Sequence, residues 1–122
     1  MVKFDRQGAL LTLRYLPPYE ARDERAYLDA LIAIGRNETA FALLAIFAGG
    51  GGLSQAGERE QALWFKTARE GVELRCRALA IVRPDASPRM IETFQRLWSM
   101  PLTATSDEQA ARNFLTRHME AA

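Results

Sequence analysis

The spacing of apolar residues changes along the chain between the period of a strand and the period of a helix. Val2 and Phe4 alternate with polar residues, and residues 10–16 are apolar on both faces. This pattern predicts a hairpin whose second strand is covered on both sides, with a tight turn at residues 5–8. Pro17 and Pro18 end the hairpin, because proline cannot donate to a sheet ladder.

Helical and strand-like segments then alternate to the end of the chain. Helical spacing predicts helices over residues 20–36 and 55–73, a third from Pro88 to the stop at Pro101, and a fourth after a capping box at residues 106–109. Short apolar runs predict buried strands at Phe41–Phe47, at residues 78–82 and at Leu102–Thr105. Apolar positions on the inner helix faces include Leu63, Trp64, Ala68, Val72, Met90, Ile91, Phe94, Leu97, Trp98, Ala110, Ala111, Phe114 and Leu115.

The order of the predicted elements is β-β-α-β-α-β-α-β-α. Strands that are separated by helices need crossover connections, which give parallel pairing. The expectation is therefore an α/β fold with a mainly parallel five-strand sheet. No linker, repeat or low-complexity tract divides the sequence, so residues 1–122 form a single predicted domain.

This order of elements resembles that of the STAS domain, and within it the SpoIIAA-like branch of small bacterial proteins. The resemblance extends over the opening hairpin, Phe41–Phe47 before a loop and long helix, residues 79–82 before Ser87 and Pro88, and Leu102–Thr105 before the last helix. It implies a non-enzymatic interaction module, typified by anti-anti-sigma factors and transporter tails. For the SpoIIAA-like branch it also implies lipid or apolar-ligand binding, by analogy with a lipid-transfer family.

In STAS domains that switch partners, a phosphorylated serine lies in an Asp-Ser-Ser-Gly-like motif at the start of the second helix. The corresponding residues here are 48–55, in which no aspartate precedes Ser54 and no second serine accompanies it. We therefore expect Ser54 to cap the helix rather than to act as a phosphorylation switch.

Composition restricts the classes of partner. The 122 residues include 16 basic and 15 acidic side chains, a formal charge of +1, and the two signs are interspersed. Such a balance predicts no basic surface that would bind nucleic acid or an anionic membrane. The longest apolar run, residues 40–48, is far too short to span a bilayer. With a single cysteine and no apolar leader, a cytoplasmic protein is expected.

Candidate catalytic and metal residues are few. Cys76 lies between two arginines, which favour a thiolate, but His118 is the one histidine that could serve as its base. One cysteine and one histidine do not make a zinc site, and Glu58-Arg59 stands where a phosphate-binding loop needs Lys-Ser/Thr. The sequence thus predicts no catalytic residue, no metal and no cofactor.

The carboxyl edge of the predicted sheet is the expected binding edge, because ligands of open α/β sheets collect there. Loops at residues 49–54, 83–87 and 105–106 should reach it, each leading into a helix N-terminus that favours an anion. The candidate ligand or partner residues are Gly49, Gly50, Gly51, Gly52, Ser54, Arg83, Ser87 and Arg89. The alternative is that the serines simply cap helices and the arginines face water.

Two functions are compatible with this sequence. The first is a non-enzymatic binding or regulatory module that acts on a protein partner or a small anionic or apolar ligand, and that could form a homodimer. The alternative is an enzyme with a site at the same carboxyl edge.

Overall fold

A five-stranded sheet runs through the molecule, and helices cover both of its faces. The computed structural model describes residues 1–49 and 52–120. Its elements are β1 (Val2–Gln7), β2 (Leu10–Tyr15), α1 (Asp23–Gly35), β3 (Phe41–Phe47), α2 (Gln55–Arg75), β4 (Cys76–Val82), α3 (Pro88–Gln95), β5 (Leu102–Thr105) and α4 (Glu108–Glu120). The strand order is β1-β2-β3-β4-β5, with β1 antiparallel to β2 and every other pair parallel. The predicted mainly parallel five-strand α/β fold is confirmed.

The α4 face of the sheet is closely packed. Its core contains four alanines that are fully buried, Ala42, Ala78, Ala80 and Ala111, together with Leu115. Small side chains allow the helix backbone to approach the strands, so little space remains between them.

The opposite face is covered by α1, α2 and α3, and here the packing is looser. Helix α1 buries most of its inner face. By contrast, the 21 residues of α2 include only two buried ones, Gly57 and Val72, and α3 has none. The aromatic side chains on the inner faces of these helices, such as Phe65 and Phe94, are only partly buried. The α2–α3 layer therefore stands off the sheet.

The hairpin turn is tighter than the sequence predicts. Asp5 and Arg6 belong to β1, where they pair with residues of β2, and the loop consists of Gly8 and Ala9. Gly8 has a φ of +61°. Two-residue hairpin loops need a positive φ that glycine adopts without steric cost, so the turn centres on Gly8 rather than on residues 5–8.

Two further local predictions were wrong. Helix α3 ends at Gln95 rather than at Pro101, and the N–H groups of Leu97 and Trp98 both donate to the Phe94 carbonyl in a terminal turn. Asp107, not the predicted Ser106, caps α4, since its Oδ1 accepts from the Gln109 N–H at 3.0 Å.

Some predicted inner-face positions also differ. Leu63 is 60% exposed and Leu97 is 45% exposed, and Ala110 faces solvent as well. Leu63 and Ala110 lie beside the apolar stripes of their helices, because the sheet contacts only a narrow face of each helix. Leu97 lies beyond the end of α3.

We expect Gly35→Ala to destabilise the protein. A Cβ at Gly35 would lie 2.9 Å from Trp64 Nε1 and 3.2 Å from Ala68 Cβ, and the indole ring cannot bend away. Overpacking of this kind costs about 1–3 kcal/mol of unfolding free energy, measurable by urea denaturation.

Gly71→Ala in α2 is the matched control. A Cβ there would meet only the flexible end of Arg75, at 3.0 Å. Alanine should then stabilise the helix by about 0.5–1 kcal/mol. Equal effects of the two substitutions would contradict close packing of α1 on α2 at Gly35.

The free energy of unfolding should depend on pH in the acid range because an ion pair joins β2 to α4. Arg14 donates to both carboxylate oxygens of Glu108 (2.8 and 3.2 Å), and Arg112 donates to it at 3.0 Å. Hydrogen bonds from Arg14 and then from Arg112 lower the pKa of Glu108 to about 2. Because the folded-state pKa is depressed, the stabilisation is complete above the unfolded value of about 4.3 and is lost as the pH falls towards 2.

Glu108→Gln should therefore unfold with a weaker pH dependence between pH 5 and 2 than the native protein. The difference should be about 1 kcal/mol, because 38% of the Glu108 side chain is exposed and solvent screens the ion pair. Arg14→Gln should reduce the pH dependence in the same direction. If the curves of both variants run parallel to the native one, this ion pair does not couple β2 to α4.

Candidate ligand-binding site

The loops after β3 and β4 meet the end of β2 at the carboxyl edge of the sheet, where they surround a cavity of about 290 Å³. We call this cavity the vestibule. Its lining residues are Tyr15, Tyr19, Tyr27, Phe47, Gly49, Gly52, Leu53, Glu58, Gln61 and Arg83. Three of the residues predicted from sequence, Gly49, Gly52 and Arg83, are thus brought together, whereas Gly50 and Gly51 lie outside the described residues.

Tyrosines form one wall of the vestibule. The Tyr15 ring lies 5.6 Å from Tyr19 and 5.2 Å from Tyr27, measured between centroids. The Tyr19 hydroxyl donates to the Gly49 carbonyl at 2.9 Å, and the Tyr27 hydroxyl donates to Gln61 Oε1 at 2.5 Å. Burial raises the pKa of Tyr27 to about 12, so its hydroxyl remains a neutral donor at physiological pH.

A second space of about 270 Å³, the inner cavity, lies between the sheet and the α1–α2–α3 layer. It shares Tyr27, Phe47, Gln61 and Arg83 with the vestibule. Its remaining lining residues are Leu13, Leu31, Ile34, Leu43, Ala45, Trp64, Phe65, Val72, Cys76, Leu79, Ile81, Phe94, Leu97, Trp98 and Met100. Among all the described residues that line the inner cavity, Arg83 is the one that carries a charge. The inner cavity is therefore an apolar space with a polar neck.

Arg83 is placed at this neck by the sheet. Its backbone N–H donates to the Thr105 carbonyl, which extends the β4–β5 ladder by one residue beyond Val82. Its side chain is 36% exposed, and its Nε donates to Asp85 Oδ1 at 3.1 Å. The backbone bond fixes the main chain of Arg83 at the point where the two cavities adjoin, and Arg83 lines both of them.

The N-terminus of α2 already holds a carboxylate of the protein itself. The Ser54 hydroxyl accepts from the Gly57 N–H at 3.1 Å and donates to Glu24 Oε2 at 2.8 Å, and the Ser54 N–H donates to Glu24 Oε1. A Cβ at Gly57 would come within 2.5 Å of Glu24 Oε1, so glycine leaves room for this contact. Ser54 thus caps α2, and Glu24 occupies the position that an external anion would need.

The other predicted site residues lie apart from the two cavities. Ser87 caps α3 by accepting from the Met90 N–H at 3.2 Å. Arg89 is exposed to solvent and lines neither the vestibule nor the inner cavity.

The fold separates the candidate nucleophile from the candidate base. Cys76 is buried on the face covered by α1, α2 and α3, whereas His118 lies on α4 against Phe114, across the sheet. Burial raises the pKa of the Cys76 thiol to about 11, and its Sγ donates to the Ala78 carbonyl. The thiol is therefore protonated at neutral pH, and the two residues do not form a pair.

Within residues 1–49 and 52–120, no cluster of three or more His, Cys, Asp or Glu side chains could hold a metal ion. In the same part of the chain, no helix combines the length and apolar character needed to cross a membrane.

The residues that sequence reasoning missed are aromatic. Tyr15, Tyr19 and Tyr27 lie at the end of β2, in the following loop and in α1, so no single helix or strand period relates them. Trp64 and Trp98 have the spacing of ordinary core residues. The adjacent pair Trp64 and Phe65 was the available signal, because neighbouring residues of a helix point in different directions and two large rings cannot both pack closely against the sheet.

The comparison with solved structures concerns the fold. The sequence matches no protein-family model, and no curated protein matches it. The structure is similar to that of an uncharacterised protein from the DUF3478 family with a SpoIIAA-like fold, from Shewanella loihica PV-4. The two share 10% sequence identity with a TM-score of 0.59, and the match covers 94% of this chain and 92% of that chain. This protein therefore has the SpoIIAA-like α/β fold that the order of its elements predicts.

Proposed function

We propose that this protein is a non-enzymatic module that binds a small, mainly apolar ligand in the inner cavity. The observation that supports this function most directly is the packing of α2 and α3. Both helices direct apolar and aromatic side chains towards the sheet, yet α2 has only two buried residues and α3 has none.

Unfilled space between the helices and the sheet lowers the free energy of unfolding. Side chains that line a gap lose dispersion contacts with atoms on the other side. Apolar surface left accessible to water forgoes about 25 cal/mol for each Å². A ligand that fills the inner cavity would recover both contributions. Together, the vestibule and inner cavity also fall within the range of about 300–1,000 Å³ that is typical of small-molecule sites.

A protein partner has less support. Leu63 and Leu74 are 60% and 72% exposed on the outer side of α2. They are separated by three helical turns, about 16 Å along the axis, with Thr67 and Glu70 between them. Single exposed leucines are common on monomeric proteins, so they favour a partner less than the cavity favours a ligand.

We expect an apolar fluorescent probe, N-phenyl-1-naphthylamine, to bind the native protein in the inner cavity. Ala45→Leu should weaken this binding at least tenfold, because Ala45 lines the cavity and leucine would fill part of it. Since the added atoms enter free space, the unfolding free energy should change by less than about 1 kcal/mol.

Ala80→Leu is the matched control on the neighbouring strand. Ala80 is fully buried in the closely packed face below α4, so the larger side chain should cost about 1–3 kcal/mol of stability. The folded variant should still bind the probe. Native protein that binds no probe, or equal losses of binding in the two variants, would contradict the proposed site.

We also expect no turnover of generic ester, phosphoester or thiol substrates above background. The buried Cys76 thiol has no base beside it, so an activated nucleophile is not formed by these two groups. A robust activity that is abolished by Cys76→Ala or His118→Ala would favour the alternative, an enzyme.

A further inference from the structure

We infer that the ligand is a single-chain amphiphile with an oxyanion head group, either a carboxylate or a phosphate. Its head group would lie at Arg83 and its apolar chain would extend along β4 in the inner cavity. This inference rests on the proposed function and specifies the class of ligand.

The shape of the inner cavity favours an extended chain. The lining follows β4 from Cys76 through Leu79 and Ile81 to Arg83. At about 3.3 Å per residue, this stretch is at most about 23 Å long. Across the sheet, the lining extends from Leu13 of β2 over β3 to β4, and two strand separations of about 4.8 Å give about 10 Å. A long, narrow site accommodates one flexible chain better than a compact ring system.

The distribution of polar groups gives this chain a direction. Arg83 lies at the vestibule end of β4, whereas Val72, Cys76 and Met100 line the other end. A ligand with one polar end would place that end at Arg83, since a buried polar group without a partner is costly elsewhere in the cavity.

Arg83 selects for an oxyanion rather than for polarity alone. A guanidinium has five N–H donors in a planar fork that matches a carboxylate or phosphate. Within the described residues, Arg83 forms one ion pair, between its Nε and Asp85. The Asp85 side chain is 62% exposed, so solvent screens this pair. A cationic head group would be repelled at the neck, and Glu58 in the vestibule does not lie within ion-pair distance of Arg83. The Arg83 guanidinium is thus the group in the described lining that would bind an oxyanion head group most strongly.

The test compares four probes that share a ten-carbon chain: decanoate, decyl phosphate, decanol and decyltrimethylammonium. Each is titrated below its micelle concentration, and binding is followed by intrinsic fluorescence. Both tryptophans of the chain, Trp64 and Trp98, line the inner cavity and report its occupancy. At least one of the two anions should bind about tenfold more tightly than decanol, and the cation more weakly than decanol. The tighter of the two anions identifies the head group.

Arg83→Gln should weaken binding of the anion about tenfold and should reduce the affinity for decanol much less, so that the advantage of the anion is lost. Arg89→Gln is the matched control, since it removes an exposed positive charge near the same edge without altering either cavity. Its affinities should equal those of the native protein. Equal effects of the two substitutions would overturn the inference, because they would indicate general electrostatic attraction.

The outcomes separate this inference from the proposed function. If decanol and the anions bind equally well, the inference about the head group is wrong while a cavity for apolar ligands stands. If none of the four probes binds, both proposals are wrong.

Discussion

The handedness of the crossover connections is the constraint on which the rest of the structure depends. Strands β2 to β5 are parallel, and their order across the sheet follows their order in the chain. Right-handed crossovers that always advance in one direction place every connecting helix on the same face. Helices α1, α2 and α3 do share one face, and α4, which follows the last strand, is the described helix that covers the other. One face thus receives three helices and the other receives one.

This asymmetry explains why the two sides of the sheet differ in packing. The single helix α4 lies over alanines and needs no further neighbour, so it settles closely onto the strands. On the other face, α1 packs against both the sheet and α2, with Gly35 fitted against Trp64. The Trp64 and Phe65 rings lie 5.2 Å apart between centroids, Phe65 lies 5.8 Å from Trp98, and all three rings line the space between α2, α3 and the sheet. The inner cavity is the space that these aromatic rings leave open.

The electrostatics of the carboxyl edge follow from two short-range contacts. Glu24 neutralises the start of α2 from within the protein, so the dipole of that helix is satisfied before any ligand arrives. Arg83, fixed by its backbone bond to Thr105, is left as the cation that faces both cavities. In the proposed binding mode, discrimination between head groups therefore falls to Arg83, while affinity comes from the apolar walls of the inner cavity.

The sequence by itself determined the features that depend on neighbouring residues. The strands Phe41–Phe47 and Leu102–Thr105 were predicted to the residue, and Ser54 and Ser87 cap their helices as expected, because apolar periods and N-caps act within a few positions of the chain. Only the tertiary structure decided that Glu24 would reach Ser54 from 30 residues away and that Cys76 and His118 would lie on opposite faces. It also decided that two helices would stand off the sheet. A cavity is a mismatch between surfaces brought together by the whole fold, so no local pattern of residues specifies it.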